Sequence, residues 1–259
     1  SQKTFMDLIR KGNVGVVRVL LAQKGPKGAR LDPTLNENAA VRVAAAKGYV
    51  TVVQALLAWV GEGKLEGKRV NPTKEDNEAM QWAAENGHVD VVRVLLDWVG
   101  QGTLEGKRVD PTAKDNYAVR WATGKGHVET VRMLLAWEGQ GTLEGKRVDP
   151  TAMDNRAVRV AAKTGYVEVV RLLLDWERPG MQRVDIGVAR DAATCDEVVV
   201  VCEEVHHARA GWTPLRAAWI GAVFKGGLAR RAKLDAASVH GTVIPGRTRR
   251  SVRRKPSPE

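Results

Sequence analysis

The sequence predicts an all-α solenoid of stacked helix-turn-helix units, and three observations lead to that expectation. The stretch GQGTLEGKRVDPTA stands at residues 100–113 and again, letter for letter, at 139–152. Convergent packing does not reproduce surface-type residues in order, so the segment marks a duplicated unit. A single step of 39 residues relates Pro33, Pro72, Pro111 and Pro150, and likewise Asn38, Asn77, Asn116 and Asn155. It also relates Gly48, Gly87, Gly126 and Gly165, and then Trp59, Trp98, Trp137 and Trp176. Within each copy the apolar residues recur at three- and four-residue spacing, which is the period of a helix face.

Each element of the unit has a local cause. Asp110-Pro111-Thr112 is turn chemistry, with proline fixing φ. Asn116 is placed to cap the next helix by accepting from free backbone N–H groups. AVRWATGK is a short helix with small residues where a neighbour must come close. Gly126 ends it, because glycine tolerates the left-handed backbone of a helix terminus. HVETVRMLLAW is a second helix, with Val128, Val131, Leu134 and Leu135 on one face. Two helices this short cannot bury their own apolar stripe, whereas stacked copies bury one another's.

The units fall at 31–69, 70–108, 109–147 and 148–183, the last with a shorter loop, behind a partial unit at 1–30. That partial unit begins in mid-helix, as MDLIRKGNVGVVRVLLA against VRVAAKTGYVEVVRLLL, so a piece of a longer array is expected. After Arg183 the pattern decays. GVARDAATCDEVVVV reads as a shortened unit and WTPLRAAWIG as a second irregular one, so 184–224 is expected to be degenerate terminal repeats that cap the array. Residues 225–259 lack periodicity and are expected to form a basic, disordered tail.

Charge follows the same division. Of the formal net charge of +11, eight units lie in the last 35 residues and three in the other 224. The body is therefore close to neutral, and any phosphate-binding or nuclear-import patch is expected in the tail, at Arg247, Arg249, Arg250, Arg253, Arg254 and Lys255. Two cysteines exclude a disulfide scaffold and no apolar run has membrane-spanning length, so an intracellular protein, cytoplasmic or nuclear, is expected.

No catalytic constellation emerges, and no cofactor or small-molecule substrate is expected. GEGKLEGK at 61–68 lacks the strand and the Ser/Thr of a phosphate-binding loop. Glu66, Glu105 and Glu144 recur beside Lys68, Lys107 and Lys146 as solvated loop pairs, and identical repeated acids do not take distinct acid and base roles. With Arg69, Arg108 and Arg147, the three lysines are expected to form an exposed row. His88 and His127 share their repeat position with Tyr49 and Tyr166, so they read as hydrogen-bonding groups between helices rather than metal ligands. Cys195, Cys202 and His206 share a helical spacing, but a fourth ligand is missing and no metal is expected. The tryptophans at the ends of the second helices, together with Trp82, Trp121, Trp212 and Trp219, read as core.

AVRWATGKGHVETVRMLLA and AMQWAAENGHVDVVRVLLD resemble ankyrin repeats, whose core reads T-P-L-H-x-A-A-x-x-G-H-x-x-V-V-x-L-L-L. The resemblance covers residues 4–183, and the A-V-R-x-A variant is similar to arrays of large DNA viruses and protists. There are two departures. Arg42, Gln81, Arg120 and Arg159 replace the histidine that ties adjacent units, and the loop after the second helix is enlarged.

The resemblance implies a non-catalytic scaffold that binds a partner protein in a concave groove, lined by positions that vary against the constant frame. Those are the hairpin tips, with Glu37, Glu75, Lys114 and Met153; the residue after asparagine, as Glu78, Tyr117 and Arg156; and the residues before the inter-helix glycine, as Ala46, Lys47, Glu85, Asn86, Lys125 and Lys163. Nucleic-acid association through the tail, or a structural role in a virion, is the alternative expectation.

Overall fold

The computed structural model describes residues 2–22, 31–178 and 180–210. Twelve helices are present among them and they come in pairs: α1 (Gln2–Arg10) with α2 (Val14–Ala22), α3 (Leu35–Ala46) with α4 (Val50–Leu57), and α5 (Lys74–Glu85) with α6 (Val89–Asp97). The remaining pairs are α7 (Ala113–Gly124) with α8 (Val128–Ala136), α9 (Ala152–Thr164) with α10 (Val167–Leu174), and α11 (Ile186–Ala192) with α12 (Asp196–Arg209). The first helices pack side by side from α1 to α11, and the second helices from α2 to α12. Two layers therefore share one continuous core, the architecture expected of a repeat solenoid.

The core lies between the layers. Val131, Leu134 and Leu135 of α8 are buried, as are Ala118, Val119, Ala122 and Thr123 of α7. Trp59 and Trp176 are buried at the ends of second helices, and Trp98 and Trp137 pack against the same core. WTPLRAAWIG with Trp212 and Trp219, and the basic residues from Arg247 to Lys255, lie outside the described residues.

The hairpin lies elsewhere than the sequence suggests. The antiparallel bridges are Val60 with Arg69, Val99 with Arg108 and Glu138 with Arg147, so the enlarged loop after each second helix is itself the hairpin. This accounts for much of the copied stretch. Gly100 donates its N–H to the Lys107 carbonyl at 2.8 Å, and a Cβ there would sit 1.9 Å from the Leu104 carbonyl oxygen. Thr103 donates its hydroxyl to the Gly67 carbonyl of the preceding loop at 3.0 Å, and Thr142 does the same to Gly106 at 3.1 Å. The loops are stacked onto one another as the helices are.

The expected tip residues instead open the first helices as a left-handed turn. Asn36–Asn38, Glu75–Asn77, Lys114–Asn116 and Met153–Asn155 all have φ between 51° and 66°. Left-handed backbone costs roughly 1–2 kcal/mol per non-glycine residue, so something must hold these turns. The residue at the former histidine position does so. Arg120 donates to the carbonyls of Asp115 at 2.8 Å and Lys114 at 3.0 Å, Gln81 to that of Asp76 at 2.6 Å, and Arg159 to that of Asp154 at 2.7 Å.

Asn116 and its sister residues are not helix caps. Each closes its left-handed turn and passes its side-chain oxygen to the next unit: Asn38 accepts from the Asn71 N–H at 2.9 Å, Asn77 from Asp110 at 3.0 Å, Asn116 from Asp149 at 2.9 Å and Asn155 from Asp185 at 3.1 Å. The asparagine is invariant because it supplies both the left-handed conformation and the tie between units.

A second tie joins the loops. The acids beside the loop lysines are not their partners: Lys68 pairs with Asp32 at 2.8 Å and Lys146 with Asp110 at 2.6 Å, each 36 residues back. Burial pushes the Asp32 and Asp110 carboxyls up, but hydrogen bonds from the lysine and from Thr34 or Thr112 outweigh it, and both lie below the ordinary value of 3.8.

The second unit carries Asn71 at this position and keeps the same turn to Thr73. Asp32→Asn with Asp110→Asn should therefore preserve the turns and remove only the ion pairs, costing about 1 kcal/mol or less per site near neutral pH because the lysines are half exposed. A depressed carboxyl stabilises the fold above its unfolded pKa and ceases to do so as pH falls through its folded value. The stability gap between the two proteins should accordingly close below the ordinary carboxylate value of 3.8. Urea melts across pH measure this, and a gap that persists in acid would contradict the assignment.

Candidate functional site

The first helices present one open face, and each contributes a stripe to it. Inward positions are buried and mostly small, as with Ala79, Ala83 and Ala84 beside the larger Met80 on α5. This leaves Glu78, Trp82, Glu85 and Asn86 facing out on α5, Tyr117, Trp121 and Lys125 on α7, and Arg156 and Lys163 on α9. Trp82 is 42% exposed and Trp121 39%, so these two rings are not core, contrary to the sequence reading.

The aromatic residues form a held cluster. Tyr117 and Trp121 stack with ring centroids 5.5 Å apart and planes 30° apart, and the Arg120 guanidinium lies 5.9 Å from the Tyr117 centroid. Burial and the neighbouring Glu85 carboxylate push the Tyr117 phenol above its ordinary range. Burial would also raise Glu78, but the neighbouring Trp82 indole and the Arg42 guanidinium, which donates to it, hold its carboxyl below the ordinary value. Two acids of α5 thus lie beside one aromatic ring each. Beside Trp82 lies an apolar notch of about 310 Å³ lined by Ala39, Arg42, Val43, Ala46 and Glu78.

The expected site residues divide between this face and the left-handed turns. Ala46, Lys47, Glu78, Glu85, Asn86, Tyr117, Lys125, Arg156 and Lys163 belong to the helical stripe. Glu37, Glu75, Lys114 and Met153 are exposed on the turns, where Lys74 pairs with Glu37 at 2.9 Å and Lys114 with Asp76 at 3.5 Å. Trp82 and Trp121 were missed, although a signal existed: their sister residues are Val43 and Val160, so the position varies against the frame as the others do.

Larger cavities lie at the other edge. One of about 600 Å³ is lined by Arg93, Leu96, Arg108, Met133, Trp137 and Glu138. Another, of about 720 Å³, is lined by Arg18, Leu21, Gln54, Trp59 and Val60. Gln54 and Arg93 occupy the same repeat position, as do Val60 and Val99, so these cavities recur with the stacking and mark the repeat rather than a special site.

The histidines bind units together. His88 Nε2 lies 3.1 Å from the Ala46 carbonyl oxygen and His127 Nε2 2.9 Å from that of Glu85, both in the preceding unit, while Tyr49 donates to the Arg10 carbonyl at 3.3 Å. The hydrogen bond therefore runs between units, not between the two helices of one pair. Each ring covers the glycine of the unit before it: Tyr49 on Gly12, His88 on Gly48, His127 on Gly87 and Tyr166 on Gly126. Cys195 takes that place against Gly165. Cys202 is buried in the core, where burial first and the Glu203 charge second push its thiol up to about 11, while His206 is exposed. Among the described residues no group of three or more His, Cys, Asp or Glu is placed to hold a metal, and no helix is long and apolar enough to cross a membrane.

A family model described as ankyrin repeats matches residues 5–115 in three copies. No curated protein matches the chain. Ankyrin repeats generally mediate protein–protein interaction, and proteins built from them are generally non-catalytic scaffolds. The helix pairs from α7 to α10 continue the same two layers at the same 39-residue step. Residues 5–115 of the chain are ankyrin repeats.

Proposed function

We propose that this chain is a protein-binding scaffold that grips a segment of its partner across the face of the first helices, with Trp82, Tyr117 and Trp121 at the centre of the contact. The observation that carries this reading is the pair of tryptophans, each about two-fifths exposed, in a row where the neighbouring units carry valine. An open ring of that size costs solubility unless a partner covers it, and rigid aromatic anchors ringed by polar groups are the usual energetic centre of a protein interface. The stacking of Tyr117 on Trp121 supports the same reading, since rings already held in place lose little freedom on binding.

Placing a photo-crosslinking phenylalanine analogue at position 121, with a control at the exposed Arg132 on α8, tests this in extract of the source cells. Covalent adducts to a small set of proteins are expected from position 121 and not from 132. Adducts formed equally at both positions, or only at 132, would overturn it.

A further inference from the structure

We infer that the partner segment recognised by this face is bipolar, carrying a cation, an apolar or aromatic anchor and an anion in that order along an extended stretch; this rests on the binding face proposed above. The charges beside the aromatic cluster are sorted. On the α5 side stand Glu75, Asp76, Glu78 and Glu85. Asp76 is paired with Lys114 and Glu78 with Arg42, which leaves Glu75 and Glu85 without an ion pair among the described residues. On the α7 and α9 side stand Arg120, Lys125, Arg156, Arg159 and Lys163, none of them in an ion pair with a carboxylate among the described residues, and they outnumber the exposed turn acids Asp115 and Asp154 there.

Burial and then the like charge of Arg156 on the adjacent helix depress the Arg120 guanidinium, against the smaller pull of Asp115 and Tyr117. Fixed like charges of this kind gain from an incoming anion and reject a cation, so the two sides of the cluster discriminate in opposite senses. The acidic zone is one unit wide, because exposed Lys47 returns the next unit to positive charge. A single cation suits it better than a basic run.

The helix spacing sets the separation. Packed helices lie about 8–10 Å apart, so the acidic stripe of α5 and the basic stripe of α9 are roughly 20 Å apart. An extended segment covers that distance in roughly six residues, with the anchor midway.

Selecting a displayed library of random twelve-residue peptides on the full chain tests the proposal. Counter-selection uses Trp82→Ala with Trp121→Ala. Peptides lost on the double variant should carry Lys or Arg about three residues to one side of an aromatic or aliphatic anchor, and Asp or Glu about three residues to the other. Their binding should weaken about tenfold or more in Arg156→Glu and in Glu85→Lys. Glu75→Lys, on the exposed turn, serves where the Glu85 variant fails to fold. Tryptophan-dependent peptides without this charge order would overturn the bipolar proposal and leave the binding face standing. If no selected peptide depends on the two tryptophans, the face itself is wrong and the proposal falls with it.

Discussion

Leu134→Ala should cost about 2–5 kcal/mol, the range for emptying a fully packed leucine site, and should do so unevenly along the chain. Leu134 is fully buried in α8, which packs on α7 within its own pair and on α6 and α10 to either side. In a solenoid each unit touches only its neighbours, so stability is approximately a sum of unit and interface terms. The cavity should therefore loosen α7 and α8 first, then α6 and α10, while α1 to α4 keep their protection. Hydrogen exchange resolved along the chain reads this directly. Uniform loss of protection from α1 to α12 would mean that the array melts as one globule, and the repeat description of its stability would fail.

The parts of the molecule that depend on periodicity were legible in the sequence. The 39-residue step and the 3–4 spacing of Val131, Leu134 and Leu135 place the helices and their buried face, and Gly126 ends its helix with φ of 75° as expected. Features that depend on contacts between units were not. Asn77 could be read only as a local cap, because its true acceptor role involves the Asp110 N–H 33 residues away. Lys68 was paired by proximity with Glu66, although the loop stacks over Asp32 of the preceding unit.

The left-handed turns were hidden for a different reason. Glu75-Asp76-Asn77 contains no glycine, and the conformation is held by Gln81 donating to the Asp76 carbonyl. Trp82 and Trp121 were misassigned because a ring repeated within a helix was read as a packing position. On α5 the small residues Ala79, Ala83 and Ala84 fill the inward side, where the next helix packs too closely for an indole.

The central claim is that the open face of the first helices, and not the framework, carries recognition. Trp82→Ala with Trp121→Ala tests it most directly, with Trp176→Ala as the opposite control, since Trp176 is only 8% exposed. Each chain is titrated with the protein captured through position 121, and its thermal melt is recorded alongside. Truncating two central anchors should cost about 2 kcal/mol or more in binding, roughly thirtyfold in Kd, while the melt stays within about 2 °C of the parent. Trp176→Ala should instead lower the melting temperature and leave the affinity of the folded fraction intact. Unchanged affinity in the double variant, or a loss matched by an equal fall in its melting temperature, would contradict the assignment of this face.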